Sequence, residues 1–150
     1  MALKRQIDDD LKTALLGRKE IAVRTLRGLK AAVLNEEVAK GKRDQGLDDS
    51  EIEQIVAKEI KKRLESAALY DQNNRQDSAA DERAEADVLQ IYLPNQLTEP
   101  ELKTIVDAKV AELKATDAKM MGQVIGAVKQ DVGTAADGAM IAKLVKQALQ

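Results

Sequence analysis

Several side chains that carry much of enzyme chemistry are missing from this sequence. It contains no cysteine, no histidine, no tryptophan and no phenylalanine, and only two tyrosines. Without cysteine there can be no disulfide, no thiolate metal site and no cysteine nucleophile. Without histidine the commonest general base and the commonest metal ligand are lacking as well. We therefore predict no catalytic residue, no metal site and no cofactor.

Longer sequence features are missing too. The chain has neither a phosphate-binding loop motif nor the glycine fingerprint of a dinucleotide site. No apolar run approaches the roughly 18 residues that a membrane-spanning helix needs, and the N-terminus lacks the apolar centre of a signal peptide. These absences disfavour an enzyme that acts alone. They predict a cytoplasmic protein with no membrane partner.

What the sequence does contain favours helix. Hydrophobic residues make up 44% of it and charged residues 33%, with a net charge of −2 and only two prolines. Apolar residues three or four apart predict four helices before Pro94 and three after it. The inner faces predicted for the first four are Leu3, Ile7, Leu11 and Leu15; Ala22, Leu26, Leu29, Ala32 and Val33; Ile52, Val56, Ile60 and Leu64; and Ala84, Val88 and Ile91. We predict an all-α protein.

The stretch around Pro94 divides the chain. Thr98 and Glu101 fit a capping box, and Leu97 and Leu102 fit the hydrophobic staple around it. We therefore predict an N-terminal helical domain over residues 1–93 and a small three-helix domain over residues 94–150. Asp48 begins a similar start signal for the third helix. Gly17 is expected to provide a left-handed cap for the first helix, and residues 71–77 form a polar break before the fourth.

Two clusters of basic residues are candidate phosphate contacts. Arg24, Arg27 and Lys30 lie three apart on the second predicted helix, and Lys58, Lys61 and Lys62 lie together on the third. Such cations can bind nucleic-acid phosphates, but an ordinary solvated helix face has the same pattern. Residues 1–75 hold 16 basic against 14 acidic residues and residues 76–150 hold 8 against 12, which places the basic surface on the first half.

Two glycines interrupt the sixth predicted helix. Gly122 and Gly126 are four apart, and a glycine within a helix costs about 0.5–1 kcal/mol relative to alanine. Close packing of another helix is the structural explanation, and the apolar stripe that flanks the glycines favours it because that stripe needs neighbours nearby. Close approach of a ligand, such as a phosphate, is the functional one.

Several segments together resemble the GatB/YqeY family. They are Leu26-Arg27, residues 31–36, residues 49–52 and residues 62–67, followed by Tyr92-Leu93-Pro94-Asn95-Gln96-Leu97, Met121-Gly122-Gln123-Val124-Ile125 and Ala136-Asp137-Gly138. The family comprises free-standing YqeY-like proteins and the tail domain of the B subunit of the glutamine-dependent aspartyl/glutamyl-tRNA amidotransferase. In that enzyme the tail domain helps to hold the tRNA, and the chemistry takes place elsewhere.

The resemblance implies an RNA-contacting surface that includes Gly122, Gln123, Lys129, Gly138 and Lys143. It predicts an accessory or adaptor protein of tRNA-dependent amidation or translation, which binds tRNA weakly or docks on an amidotransferase or synthetase. Two alternatives stay open. One is a helical protein-interaction module without an RNA role, and the other is carbon–nitrogen ligase activity, with glutamine as amide donor, only as part of a complex.

Overall fold

The computed structural model describes residues 2–150, and in that range it is all-α, as the sequence predicts. The α-helices are α1 (Ala2–Leu16), α2 (Glu20–Ala39), α3 (Asp49–Gln72), α4 (Gln76–Gln90), α5 (Glu99–Glu112), α6 (Met121–Val132) and α7 (Gly138–Ala148). Two short 3₁₀ turns, Ala118–Met120 and Gly133–Ala135, flank α6. None of the described residues belongs to a β-strand.

The chain divides into two compact units, each with its own hydrophobic core. The N-terminal unit is Met1–Leu93 and the tail unit is Pro94–Gln150. Because each unit buries a separate apolar cluster, each is described by itself below.

In the N-terminal unit α3 and α4 form the main helix pair, α2 packs against both, and α1 packs on α2 and α3. Tyr92 closes the core from the end of α4, where its hydroxyl donates a hydrogen bond to a carboxylate oxygen of Asp10 at 2.6 Å. Burial, together with this bond, raises the pKa of Tyr92. The core residues are Leu3, Ile7, Leu26, Leu29, Val33, Leu47, Ile52, Val56, Ile60, Ala86, Leu89 and Tyr92.

Three residues assigned to inner faces lie on the surface instead. Leu15 is 45% exposed, Leu64 48% and Ile91 67%. A residue repeated every four positions drifts by about 40° per step around a helix that turns 100° per residue. Over the twelve residues from Leu3 to Leu15, or from Ile52 to Leu64, the drift reaches about 120° and leaves the core. The buried positions near those helix ends are alanines, Ala14 and Ala67.

The helix starts follow the predicted capping chemistry. Asp48 and Glu51 form a complete capping box at α3, and Thr98 and Glu101 form another at α5. The helix ends differ more from the prediction than the helix starts do. Arg18, with φ +53°, takes the left-handed conformation that we predicted for Gly17. The polar break is also shorter than predicted, because α3 continues to Gln72 and α4 starts at Gln76.

The tail unit is a three-helix arrangement around a small aliphatic core. That core comprises Leu102, Val106, Ala115, Val124, Val128, Ile141, Leu144 and Val145. The residues that precede α5 are attached to the turn after α6: the Leu97 N–H donates to the Ala135 carbonyl at 2.8 Å, and the Gln96 side-chain amide donates to the Thr134 carbonyl at 2.9 Å. The start of α5 and the α6–α7 turn therefore hold each other in place.

None of the helices within residues 2–150 is both long and apolar enough to cross a bilayer.

Candidate nucleic-acid interface

The outward face of α6 is built largely from the backbone. Gly122, Gly126 and Lys129 lie within about 60° of one another on a helix that turns 100° per residue. Both glycines are exposed, and a Cβ placed on either would meet no neighbouring atom within 4 Å in the described part of the chain. The packing explanation for these glycines is therefore wrong for residues 2–150. What they provide is bare helix backbone that a ligand can approach.

Lys129 and Gly138 come together at the start of α7. A Cβ on Gly138 would lie 3.4 Å from both Cε and Nζ of Lys129. Asp137 caps α7, where its carboxylate accepts the Ala139 N–H at 3.3 Å. The N-terminus of a helix carries partial positive charge and attracts anions. The ammonium group of Lys129 adds a full positive charge beside it, opposite to the negative charge of the capping Asp137 carboxylate. We call Gly122, Gly126, Lys129 and Gly138 the tail surface.

The other two residues of the predicted RNA contact set are placed differently. Gln123 is exposed but lies about 100° around α6 from Gly122. Lys143 lies on α7 and is 3.5 Å from a carboxylate oxygen of Glu99 on α5. Among residues 2–150 no hydrogen bond or ion pair joins either side chain to the tail surface. Gln123 follows Gly122 directly in the sequence, whereas Lys143 pairs with a residue of α5.

The charge balance of the tail unit differs from that of the second half of the sequence. It holds seven lysines and seven acidic residues, so its net charge is zero, whereas the N-terminal unit holds 17 basic and 19 acidic residues. The basic excess predicted for the first half is therefore wrong for the units as they fold, since the acidic helix α4 belongs to the N-terminal unit.

All seven acidic side chains of the tail unit are engaged. Four are paired with lysine, namely Glu99, Asp107, Glu112 and Asp131. The other three cap helices: Glu101, Asp117 and Asp137. Lysines 114, 119, 129 and 146 have no carboxylate within 4 Å in the described part of the chain. Their charges are available to an anionic ligand.

The alternative basic patch of the N-terminal unit is not one surface. Arg24 and Arg27 line a groove at the α1–α2 turn, Lys30 lines a second groove, and Lys58 and Lys62 line a third. Lys61 is exposed and lines none of these. Three of the six basic residues also form ion pairs with acidic side chains. Arg24 lies 3.7 Å from Glu85, Lys30 2.8 Å from Asp8, and Lys62 3.9 Å from Glu59.

Polar groups inside the N-terminal unit were missed by the sequence reasoning. Glu37 is 3% exposed and pairs with Lys4 at 2.6 Å, and Thr25 is fully buried. Arg63 lies between Glu59 at 3.0 Å and Glu85 at 3.8 Å. The available signal was spacing, since Thr25 lies one turn before Leu29 and Glu37 one turn after Val33. All four positions are buried because α1, α3 and α4 pack around α2 and cover a wide arc of it. These paired charges join helices, and residues 2–150 show no cluster of three or more potential metal ligands.

Replacing Gly126 with alanine is expected to stabilise the tail unit by about 0.5–1 kcal/mol, because alanine favours helix and its methyl group has open space. Urea unfolding of the two proteins measures the difference. A loss of stability would show that another element packs against Gly126 in solution.

The start of α3 contains a carboxyl group, that of Glu51, whose pKa is lowered. Glu51 accepts hydrogen bonds from Lys42 at 2.8 Å, from the Asp48 N–H at 3.0 Å and from Lys40 at 3.1 Å. In that order of importance, these donors lower the pKa of Glu51 from 4.5 to about 2. A carboxyl whose pKa is lower in the folded state contributes stability above its unfolded pKa, and this contribution disappears as the pH falls from about 4.5 towards 2.

Replacing Glu51 with glutamine is therefore expected to destabilise the protein most above pH 5, with a difference that shrinks between pH 4.5 and 2. Urea unfolding at pH 7, 4.5 and 3 measures this trend. Glu65→Gln, at an exposed position of the same helix, is the matched control and should show no such trend. An effect of Glu51→Gln that is equal at pH 7 and pH 3 would contradict the assignment.

Comparison with known proteins gives consistent matches. The family model described as Yqey-like protein matches residues 4–149. Three curated relatives are each named altered inheritance of mitochondria protein 41, mitochondrial. The one from Clavispora lusitaniae is 24% identical over 89% of this chain and 78% of its own length. The one from Lachancea thermotolerans is 31% identical over 69% of this chain and 54% of its own length. The one from Eremothecium gossypii is 34% identical over 73% and 60%.

Two facts follow from these matches. The matched region spans only 54% and 60% of the second and third relatives. In addition, the names of the relatives state that they are mitochondrial proteins. The cytoplasmic localisation predicted from the sequence is contradicted by this finding, and the prediction is wrong.

Proposed function

Because the chain belongs to the Yqey-like protein family, whose model matches residues 4–149, we propose that it is an accessory protein that binds structured RNA of the tRNA type. The family resemblance inferred from the sequence is confirmed by that match. The RNA role is our proposal, and the tail surface supports it. In this proposal the protein positions RNA and carries out no covalent chemistry.

The single observation that carries the proposal is the exposed glycine face of α6 beside Lys129. Two glycines in one helix lower its stability, and among residues 2–150 no atom lies within 4 Å of a Cβ placed on either. A polyanion backbone can approach such a surface closely. Lys129 and the N-terminus of α7 would then face its phosphates.

The chemistry of this surface favours a folded RNA over a single strand. The whole sequence has two tyrosines as its only aromatic residues, and Tyr70 and Tyr92 both lie in the N-terminal unit. The tail surface therefore has no ring on which a base could stack. Contacts to the phosphates and shape of a structured RNA are the mode that remains for it.

The test is a titration of the full chain with unmodified tRNA, followed by fluorescence anisotropy at two salt concentrations. We expect saturable binding that weakens steeply as salt rises, because each phosphate contact releases counterions. A single-stranded homopolymer of matched length should bind more weakly than tRNA. Failure to bind tRNA at the lower salt concentration would overturn the proposal.

A protein-interaction role is the second candidate, and the outer face of α2 favours it. Leu34 is 41% and Val38 58% exposed, one helical turn apart. Leu34 lines a groove of about 270 Å³ whose apolar walls include Ile7, Val33 and Ile52. An amidotransferase or synthetase subunit would be the expected partner, and co-purification that Val38→Ser abolishes, with tRNA binding unchanged, would support this role.

A further inference from the structure

The turn between α1 and α2 presents apolar side chains to water. Leu16 is 87% exposed, Leu15 45% and Ile21 37%. Leu15 and Leu16 are the last two residues of α1, and Ile21 lies in the first turn of α2. The three therefore project from one end of the helix pair, and Leu16 has almost no contact with the rest of the protein.

Positive charge surrounds these side chains. Between residues 17 and 27 there are four cations, Arg18, Lys19, Arg24 and Arg27, and Glu20 is the one acidic residue. Arg24 lies 3.7 Å from Glu85, whereas the other three cations have no carboxylate within 4 Å in the described structure. Leu15 and Val23 share a groove of about 520 Å³ with three of the arginines and with Glu20, which leaves an excess of two positive charges along it. The turn is thus apolar at its tip and basic around it.

The backbone reinforces the placement of one cation. Arg18 adopts a left-handed φ of +53°, which is unfavourable for a residue with a Cβ and would be easy for glycine. The neighbouring Gly17 does not adopt it. The turn therefore carries an arginine at the position where a glycine would be the less strained choice.

We propose that the α1–α2 turn binds the surface of an anionic phospholipid membrane. Leu15 and Leu16 enter the boundary between headgroups and acyl chains, and Arg18, Lys19 and Arg27 pair with the headgroup phosphates. Burial of a few apolar side chains combined with attraction to anionic lipid is how proteins bind membranes without spanning them. This revises the prediction of no membrane partner, which rested on the lack of a spanning segment.

A lipid surface fits this turn better than the other polyanions. An RNA would satisfy the cations and leave the two leucines in water. An acidic protein would need a pocket shaped to receive Leu16, whereas a fluid lipid layer accepts a projecting side chain of any shape. The turn lies in the N-terminal unit, so this proposal does not depend on RNA binding by the tail unit.

The test is co-sedimentation of the full chain with vesicles of phosphatidylcholine alone and of phosphatidylcholine mixed with phosphatidylglycerol. We expect binding to the mixed vesicles, weaker binding to the neutral ones, and loss of binding at high salt. Leu15→Ser/Leu16→Ser should weaken partitioning at least about tenfold. Arg18→Gln/Lys19→Gln/Arg27→Gln should weaken it by about fivefold per cation.

Matched variants distinguish vesicle binding by the α1–α2 turn from non-specific binding through other exposed residues. Leu69→Ser/Ile91→Ser changes two other apolar residues, which are 59% and 67% exposed, and Lys58→Gln/Lys61→Gln removes two other exposed cations. Both should bind vesicles like the original protein. Equal loss in these variants would overturn the proposal, and so would failure to bind the mixed vesicles at low salt. If the α1–α2 variants lose tRNA binding but keep vesicle binding, the turn is an RNA contact and the proposal is wrong.

Because the chain has no tryptophan, Leu16→Trp adds a single tryptophan at the tip, whose emission lies at longer wavelength than that of the two tyrosines. Its emission should shift to shorter wavelength on mixed vesicles, since the ring leaves water. Unchanged emission while the protein sediments with vesicles would place the contact on another surface, which also contradicts the proposal.

Discussion

Replacing Ile141 with alanine is expected to unfold the tail unit and to abolish tRNA binding. Ile141 is fully buried at the centre of the tail core. Removing so much buried aliphatic volume costs about 2–5 kcal/mol. A unit of about 60 residues buries a smaller share of its surface than a larger domain and has little stability to lose. Loss of amide dispersion for residues 94–150 in ¹⁵N NMR spectra measures the result.

The matched variant is Leu29→Ala, which removes a fully buried side chain from the core of the N-terminal unit. If each unit folds around its own core, Leu29→Ala should leave the tail amides dispersed and tRNA binding intact. Unaltered tail spectra in Ile141→Ala would contradict the importance of this core. Retained tRNA binding by an unfolded tail would place the RNA site elsewhere.

The double replacement Lys129→Gln/Lys143→Gln is expected to weaken tRNA binding on the order of tenfold at low salt. Each lysine that contacts a phosphate contributes about 1 to the slope of log affinity against log salt, so that slope should become shallower by about 1 through Lys129, and by about 2 if RNA also draws Lys143 away from Glu99. Lys129 is exposed and Lys143 makes an exposed ion pair, so the unfolding free energy should change by less than about 0.5 kcal/mol. Anisotropy titrations over a salt series measure the slope.

The control is Lys58→Gln/Lys61→Gln, which removes the same charge from two exposed positions of α3 that have no ion-pair partner among residues 2–150. It should leave both affinity and slope close to those of the original protein. If this control loses binding and the tail variant keeps it, the RNA site lies on the N-terminal unit. If Lys129→Gln alone carries the whole effect, Lys143 is held by Glu99 and takes no part.

Much of the fold could be predicted from the sequence because the sequence patterns that indicate it are local. Capping boxes need only residues three apart, and both were predicted correctly, at Asp48–Glu51 and at Thr98–Glu101. The all-α class follows equally directly from apolar periodicity. Helix ends were predicted less well, since a stripe with spacing four drifts away from the core, which is why Leu15 and Leu64 are exposed.

The candidate site was harder to predict from the sequence because it depends on contacts between segments that are distant along the chain. Sequence alone could not show that Gly122 and Gly126 have open space, and it favoured packing there. It also could not place Lys129 over Gly138 or show that capping and ion pairs occupy the acidic residues of the tail unit. Arg63 and Glu85, more than 20 positions apart, meet only when α3 and α4 pack. Such pairings follow from tertiary structure and leave no periodic signal.

The most direct test of the central claim is an NMR titration of the ¹⁵N-labelled full chain with unmodified tRNA. Backbone amides report on contacts to bare helix backbone, and those of Gly122, Gly126 and Gly138 belong to the proposed surface. We predict that these three amides and that of Lys129 shift or broaden first, at low salt, and recover as salt rises. Perturbations confined to α2 and α3, or none at all at low salt, would contradict the account.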